Sequence, residues 1–182
     1  MDTIISGVNG LLGVLVIAGF FMLAAMGILF TFRNQSSFAR KTIETLHTHA
    51  LFLSFFVALG AMLGSIFYSE IAHFPPCNLC WYQRIFMFPV AIILGMGWRW
   101  RDRGVFFYSI PLSVIGALFA LYHHFIQLGI MPSIFCSASA VSCVQRFVFE
   151  RGFVTIPLMS LTAFLLVISF SLFGIARAYR EE

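Results

Sequence analysis

Apolar residues run along this chain in long blocks, and the charged residues fall between the blocks. No charged residue lies between Asp2 and Arg33, between Glu44 and Glu70, between Arg103 and Arg146, or between Arg151 and Arg177. Each gap is long enough for the roughly 20 apolar residues of a spanning helix. A fifth gap, Arg84 to Arg99, holds 14 residues. At about 1.5 Å per residue that is about 21 Å, short of a hydrocarbon core of about 30 Å. The helix there is therefore expected to begin further back, toward Cys77. The pattern predicts five spans, at about Val8–Phe32, His49–Tyr68, Leu79–Trp98, Val105–Leu128 and Phe153–Ile175.

Composition agrees with the pattern. The 182 residues are 60% hydrophobic and 10% charged, where soluble domains carry about a quarter charged residues. An all-α integral membrane protein follows, with no room for a sizeable soluble domain. The net charge of +4 is scattered over connecting segments and forms no basic stripe, so nucleic acid is not expected as a partner. Met1-Asp2-Thr3-Ile4-Ile5 lacks a positive n-region, and the following apolar run exceeds a signal-peptide core. The first helix is read as an uncleaved span with its N-terminus outside.

Lys and Arg set the expected orientation. Arg33, Arg40, Lys41, Arg99, Arg101, Arg103, Arg177 and Arg180 lie in one set of connections, and only Arg84, Arg146 and Arg151 on the other side. The first set is assigned to the cytoplasm. The Cys77–Cys80 and Cys136–Cys143 segments then share the outer face, where disulfides persist. No other cysteine occurs in the chain.

The first pair stands in Pro75-Pro76-Cys77-Asn78-Leu79-Cys80-Trp81-Tyr82-Gln83-Arg84. Two prolines can open a helix but cannot continue one from before. Cys77 then sits near a helix N-terminus, whose partial positive charge lowers a thiol pKa. Cys80, Arg84 and Met87 follow at helical spacing on the face of Cys77. An arginine at this depth either snorkels to the interface or stabilises an anion, such as a Cys80 thiolate or a reduced acceptor's oxygen. Trp81 and Tyr82 read as belt aromatics.

Cys136 and Cys143 stand among Ser133, Ser137, Ala138, Ser139, Ala140 and Ser142. These small residues predict a flexible, exposed turn, and an exposed disulfide is the exchangeable kind; a structural staple is the alternative. His123 and His124 lie near the outer end of the fourth span, and one of them is expected to face the bundle at the depth of Arg84. Four cysteines also suggest a zinc site. The six residues between Cys136 and Cys143 are not a knuckle spacing, and Arg84 disfavours a dication, so no metal is expected.

From Pro76 to Arg84 the sequence resembles the DsbB/BdbC family of membrane thiol:quinone oxidoreductases, whose motif is Pro-Cys-x-x-Cys followed by an arginine four residues later. The resemblance continues through Tyr122-His123 and Gln127 and into Gly152-Phe153-Val154-Thr155-Ile156-Pro157-Leu158-Met159-Ser160-Leu161. The Cys-x-x-Cys precedes the second pair, the order of this family and not of vitamin K epoxide reductase-like proteins. The resemblance implies a four-helix core over residues 46–182 and an extra transmembrane helix with a cytoplasmic linker over 1–45. It implies a bacterial inner membrane location among membrane lipid, a DsbA-like thioredoxin-fold partner, and ubiquinone or menaquinone as acceptor. By the same resemblance the partner attacks Cys136, Cys143 links to Cys77, and Cys80 faces the quinone, with Arg84, His123 and Met87 as candidate quinone-binding residues. Two rivals stay open: a non-catalytic protein with two structural disulfides, and an oxidoreductase running in the reducing direction.

Overall fold

The computed structural model describes residues 2–32, 37–133, 136 and 141–178. Five helices account for most of them: α1 (Asp2–Thr31), α2 (Ser37–Ile66), α3 (Asn78–Trp100), α4 (Val105–Gln127) and α5 (Ile156–Ala178). All five are long and apolar enough to cross a membrane, and no strand occurs among the described residues. The chain is an all-α membrane protein. Arg33 and Arg180 of the charge count lie outside the described residues.

Helix ends follow from local chemistry. α2 runs into a π-helical turn, Phe67–Ile71, closed by a hydrogen bond from Ala72 N to Phe67 O. His73 then takes a left-handed conformation (φ 55°), and Pro75-Pro76 forbid a return to helix. α3 starts from Cys77, whose extended backbone (φ −76°, ψ 172°) is an N-cap geometry. That is the earlier start the short Arg84–Arg99 gap required. α4 ends at Gly129 (φ 77°). The bond from Ile130 N to Phe125 O closes the end as a Schellman turn. α5 begins at Ile156, three residues later than expected, because Arg151 and Gly152 both have positive φ and fold Glu150 back on Val154.

Helices α2 to α5 form a ring in which α2 packs on α3, α3 on α4, α4 on α5, and α5 on α2. The core holds Val90, Leu94, Phe106, Phe164 and Val167, with Met87 among them. Small residues let the helices close. A Cβ at Gly116 would fall on the Phe164 ring, and one at Gly174 on Phe106. Such contacts drive helix association in lipid, where no hydrophobic effect separates helix from tail.

α1 lies outside this ring, chiefly against α5. Met26 packs with Leu166 and Phe170, and a Cβ at Gly19 would stand 2.7 Å from Thr162 Cγ2. At its other end the Tyr68 hydroxyl donates to Asn9 Oδ1 at 2.8 Å.

Candidate functional site

The start of α3, the end of α4 and the segment between α4 and α5 meet at one end of the ring, and all four cysteines lie there. Cys77 and Cys80 are free thiols on the first turn of α3, with sulfurs 3.0 Å apart. Cys136 and Cys143 are joined in a disulfide, with Cα atoms 6.1 Å apart. Cys77, Cys136 and Cys143 share one buried cluster with Leu79 and Ile126.

The exposure expected around the second pair does not extend to its two cysteines. Cys136 is 7% exposed and Cys143 is 1%. The segment is drawn onto the bundle by hydrogen bonds from helix side chains to its backbone. Tyr122 Oη donates to Pro132 O at 2.8 Å, and Gln127 Nε2 to Gln145 O at 3.3 Å. Arg146 donates back to the Gln127 carbonyl. Ser137 to Ala140 lie outside the described residues.

His123 stands between the pairs. It is 1% exposed, with Nε2 3.8 Å from Cys77 Sγ and 3.2 Å from Cys143 O. Its Nδ1 meets Gln83 Nε2 at 3.0 Å. Of the two adjacent histidines this is the one facing the bundle interior. His124 turns to Thr155 Oγ1 at 3.4 Å.

Cys77 lies just outside the membrane-spanning part of α3, and its thiol pKa is held well below the ordinary range. The main cause is the hydrogen bond with Cys80; burial acts in the opposite direction, and the hydrogen bond with His123 adds to the lowering. The direction of the shift favours Cys77 as the thiolate of the reduced pair. A thiolate at Cys77 is the nucleophile that disulfide exchange requires.

Arg84 is held by the end of α2 and by its own helix. Its Nε donates to Ser65 Oγ and its Nη2 to Ser65 O, both at 2.8 Å, and its guanidinium lies 5.3 Å from the Trp81 ring centroid. A cleft of about 60 Å³ is lined by Cys77, Cys80, Arg84, His123 and Ser65, with apolar walls from Tyr68, Phe74, Pro75, Phe147 and Pro157. Tyr68 stacks on Phe74, and Phe74 on Phe147. Met87 lies deeper in the hydrophobic core and is not among the cleft-lining residues.

The sulfurs of Cys77 and Cys80 and a nitrogen of His123 lie within 4.8 Å of one another, a grouping able to ligate a cation. As arranged, the two sulfurs and His123 Nε2 are joined to one another, and Nε2 to the Cys143 carbonyl, by hydrogen bonds.

Sequence reasoning passed over Gln83, Ser65 and Tyr68. Gln83 carried a readable signal, as an amide inside an apolar span; Ser65 and Tyr68 did not.

A membrane-spanning bundle that brings a dithiol and a disulfide to one buried point is a thiol–disulfide oxidoreductase. The family model "Disulfide bond formation protein DsbB" matches residues 47–178, and the chain belongs to that family. The SPbeta prophage-derived disulfide bond formation protein B of Bacillus subtilis is 45% identical over 120 residues, 66% of this chain and 81% of that one. Disulfide bond formation protein C of the same organism is 43% identical over 125 residues, 66% of this chain and 88% of its own length. A probable disulfide formation protein of Coxiella burnetii is 36% identical over 124 residues, 67% and 84% of the two chains. No solved structure matches the chain. Its function is disulfide bond formation.

Proposed function

We propose that this chain re-oxidises a DsbA-like thioredoxin-fold dithiol protein and passes the electrons to a membrane quinone. The observation that carries the reading is His123, whose Nε2 touches both Cys77 Sγ and the backbone of Cys143. Cys77 shares a buried cluster with Cys136 and Cys143, which supports exchange between the pairs, and the inner member of the first pair shares a cleft with Arg84.

The exchange balances as follows. The partner's thiolate attacks Cys136, the Cys136–Cys143 bond breaks, and Cys143 is released as a thiolate. When the first pair is oxidised, Cys143 attacks Cys77 and releases Cys80 as a thiolate. The partner's second thiol displaces Cys136, leaving the partner oxidised by two electrons. Cys136 then attacks the Cys143 sulfur and displaces Cys77 as a thiolate, which restores the Cys136–Cys143 disulfide and leaves the first pair as the dithiol. A quinone in the cleft supplies the two-electron, two-proton acceptor that returns this dithiol to a disulfide.

The cleft residues fit such a group in kind. Aromatic and proline walls suit a flat apolar ring, and Arg84 offers an N–H donor to its oxygen. At about 60 Å³ the free space holds a few waters, so ring binding has to push the walls apart. Arg84 is held by Ser65 in position beside Cys80, where the thiolate appears once Cys77 is engaged elsewhere.

The Lys and Arg distribution supports an inner-membrane orientation with both cysteine segments outside and the C-terminus in the cytoplasm. The test is reduction of a soluble quinone analogue by the purified chain and a reduced DsbA-like protein. Turnover is expected, and Cys80→Ser is expected to abolish it. A Cys80→Ser chain that turns over normally sinks the proposal.

A further inference from the structure

Gln83 has no part in the exchange just described, yet it is 7% exposed and both hydrogens of its amide nitrogen are engaged. Nε2 lies 3.1 Å from Leu79 O and 3.0 Å from His123 Nδ1. A carbonyl oxygen only accepts, so the amide's NH₂ end is the one facing both groups, and His123 Nδ1 accepts. A neutral imidazole that accepts at Nδ1 carries its hydrogen on Nε2, since each ring nitrogen's state is set by the bond the other makes. The opposite side of the ring gives the same answer independently. Nε2 stands 3.2 Å from Cys143 O, another group that only accepts.

We propose that Gln83 is a positioning residue for disulfide exchange: it fixes His123 as the Nε2–H tautomer and so aims one N–H at the place where Cys77 and Cys143 meet. The inference rests on the exchange route proposed above and deepens it. In the observed redox state the step runs from the Cys77 thiolate. Its sulfur attacks Cys143 Sγ, the Cys136–Cys143 bond breaks as the Cys77–Cys143 bond forms, and Cys136 leaves as a thiolate that takes a proton from water. No electrons are gained or lost by the chain. The Nε2–H holds the Cys143 carbonyl against the attacker and lies within reach of the Cys77 sulfur. In the other tautomer a nitrogen lone pair faces a carbonyl lone pair and a thiolate, and Nδ1–H points at an amide donor. Both sides of the ring then repel. His123 is thus a catalytic residue of the exchange, where the sequence reading had placed it with the acceptor.

The test uses the full-length chain with selective ¹⁵N-histidine labelling, since ¹⁵N shifts of imidazole report the tautomer directly. His123 of the unaltered chain is expected as Nε2–H; an Nδ1–H signal overturns the proposal without any variant. Exchange is read in a Cys80→Ala chain, where Cys77 has no neighbouring thiol. A jump from acid to neutral pH starts the reaction, acid quenches it, and the Cys77–Cys143 peptide is followed by mass spectrometry. Adding Gln83→Met keeps side-chain length and removes both donors. It is expected to lose the Nε2–H preference and to slow cross-link formation about tenfold, the worth of one oriented hydrogen bond. A Gln83→Met chain that exchanges at the unaltered rate overturns the role of Gln83 and leaves the exchange route standing. A cross-link that never forms even with Gln83 and His123 intact overturns the route and this inference together.

Discussion

The two cysteine pairs are held by opposite means. Cys77 and Cys80 ride on the first turn of α3, so their separation is fixed by helix geometry and their depth by the bundle. Cys136 and Cys143 belong to an irregular segment, tied to each other by a covalent bond and to the bundle by single hydrogen bonds from α4: Tyr122 to Pro132, His123 to Cys143, Gln127 to Gln145. One pair is built in; the other is docked. A docked pair leaves its seat when its hydrogen bonds are replaced, and an incoming protein partner has backbone groups with which to replace them. The division suits a relay in which one end meets a large soluble protein and the other a small molecule in the membrane.

Removing the built-in pair has the largest expected effect. Cys77→Ser should bring turnover with a reduced dithiol partner and a quinone analogue to background, while the Cys136–Cys143 disulfide still forms in non-reducing peptide maps. A variant that lost both would show that the docked pair depends on the other. Next comes acidity. Cys77 is the thiolate of the reduced pair with a depressed pKa, so it stays ionised as pH falls below the ordinary thiol range and protonates only near the lowered value. At about pH 6 a thiol of pKa about 8.5 is less than about 1% ionised, so iodoacetamide should label Cys77 tens to a hundredfold faster than an unperturbed thiol. His123→Ala and Cys80→Ala should each shrink that advantage; labelling at the ordinary rate in the unaltered chain would remove the distinction between the pairs.

Arg84→Gln removes a guanidinium that Ser65 holds in place, and a charged hydrogen bond is worth about 1.5–3 kcal/mol. KM for the quinone analogue should rise about ten- to a hundredfold with exchange between the pairs unchanged, as measured in the cross-link assay. Gly116→Ala probes the rigid scaffold itself. Its new Cβ would fall on the Phe164 ring, and overpacking costs about 1–3 kcal/mol, read as a lower unfolding temperature. The smallest effect is expected from Tyr122→Phe, which frees one anchor of the docked segment. About 1 kcal/mol should appear as faster hydrogen exchange confined to the segment after α4.

Much of this was open to reading in the chain. Charge-free gaps located five spans, and the shortness of one pushed α3 back to Cys77, where it begins. The motif from Pro76 to Arg84 carried the family. What local pattern does not carry is which distant residues meet. Gln83 and His123 are 40 positions apart, and Cys77 and His123 are 46; nothing in either stretch names its counterpart. The small residues around Cys136 read as exposed because smallness often goes with exposed turns. Among the described residues it is the two cysteines themselves that pack on Leu79 and Ile126. Arg84 read as a charge that snorkels or stabilises an anion, and Ser65, a polar residue in an apolar span, gave no sign that it would hold the guanidinium.

The hydrogen bond from Tyr68 to Asn9 joins a wall of the cleft to the helix that lies outside the matched family region. Without Asn9 the buried phenol hydroxyl keeps only the weak acceptor Met159 Sδ at 3.9 Å, so residue 9 and residue 68 are coupled in inheritance. A chimera that grafts this core onto another anchor weakens a wall of the cleft unless the new helix brings an acceptor to the place of Asn9.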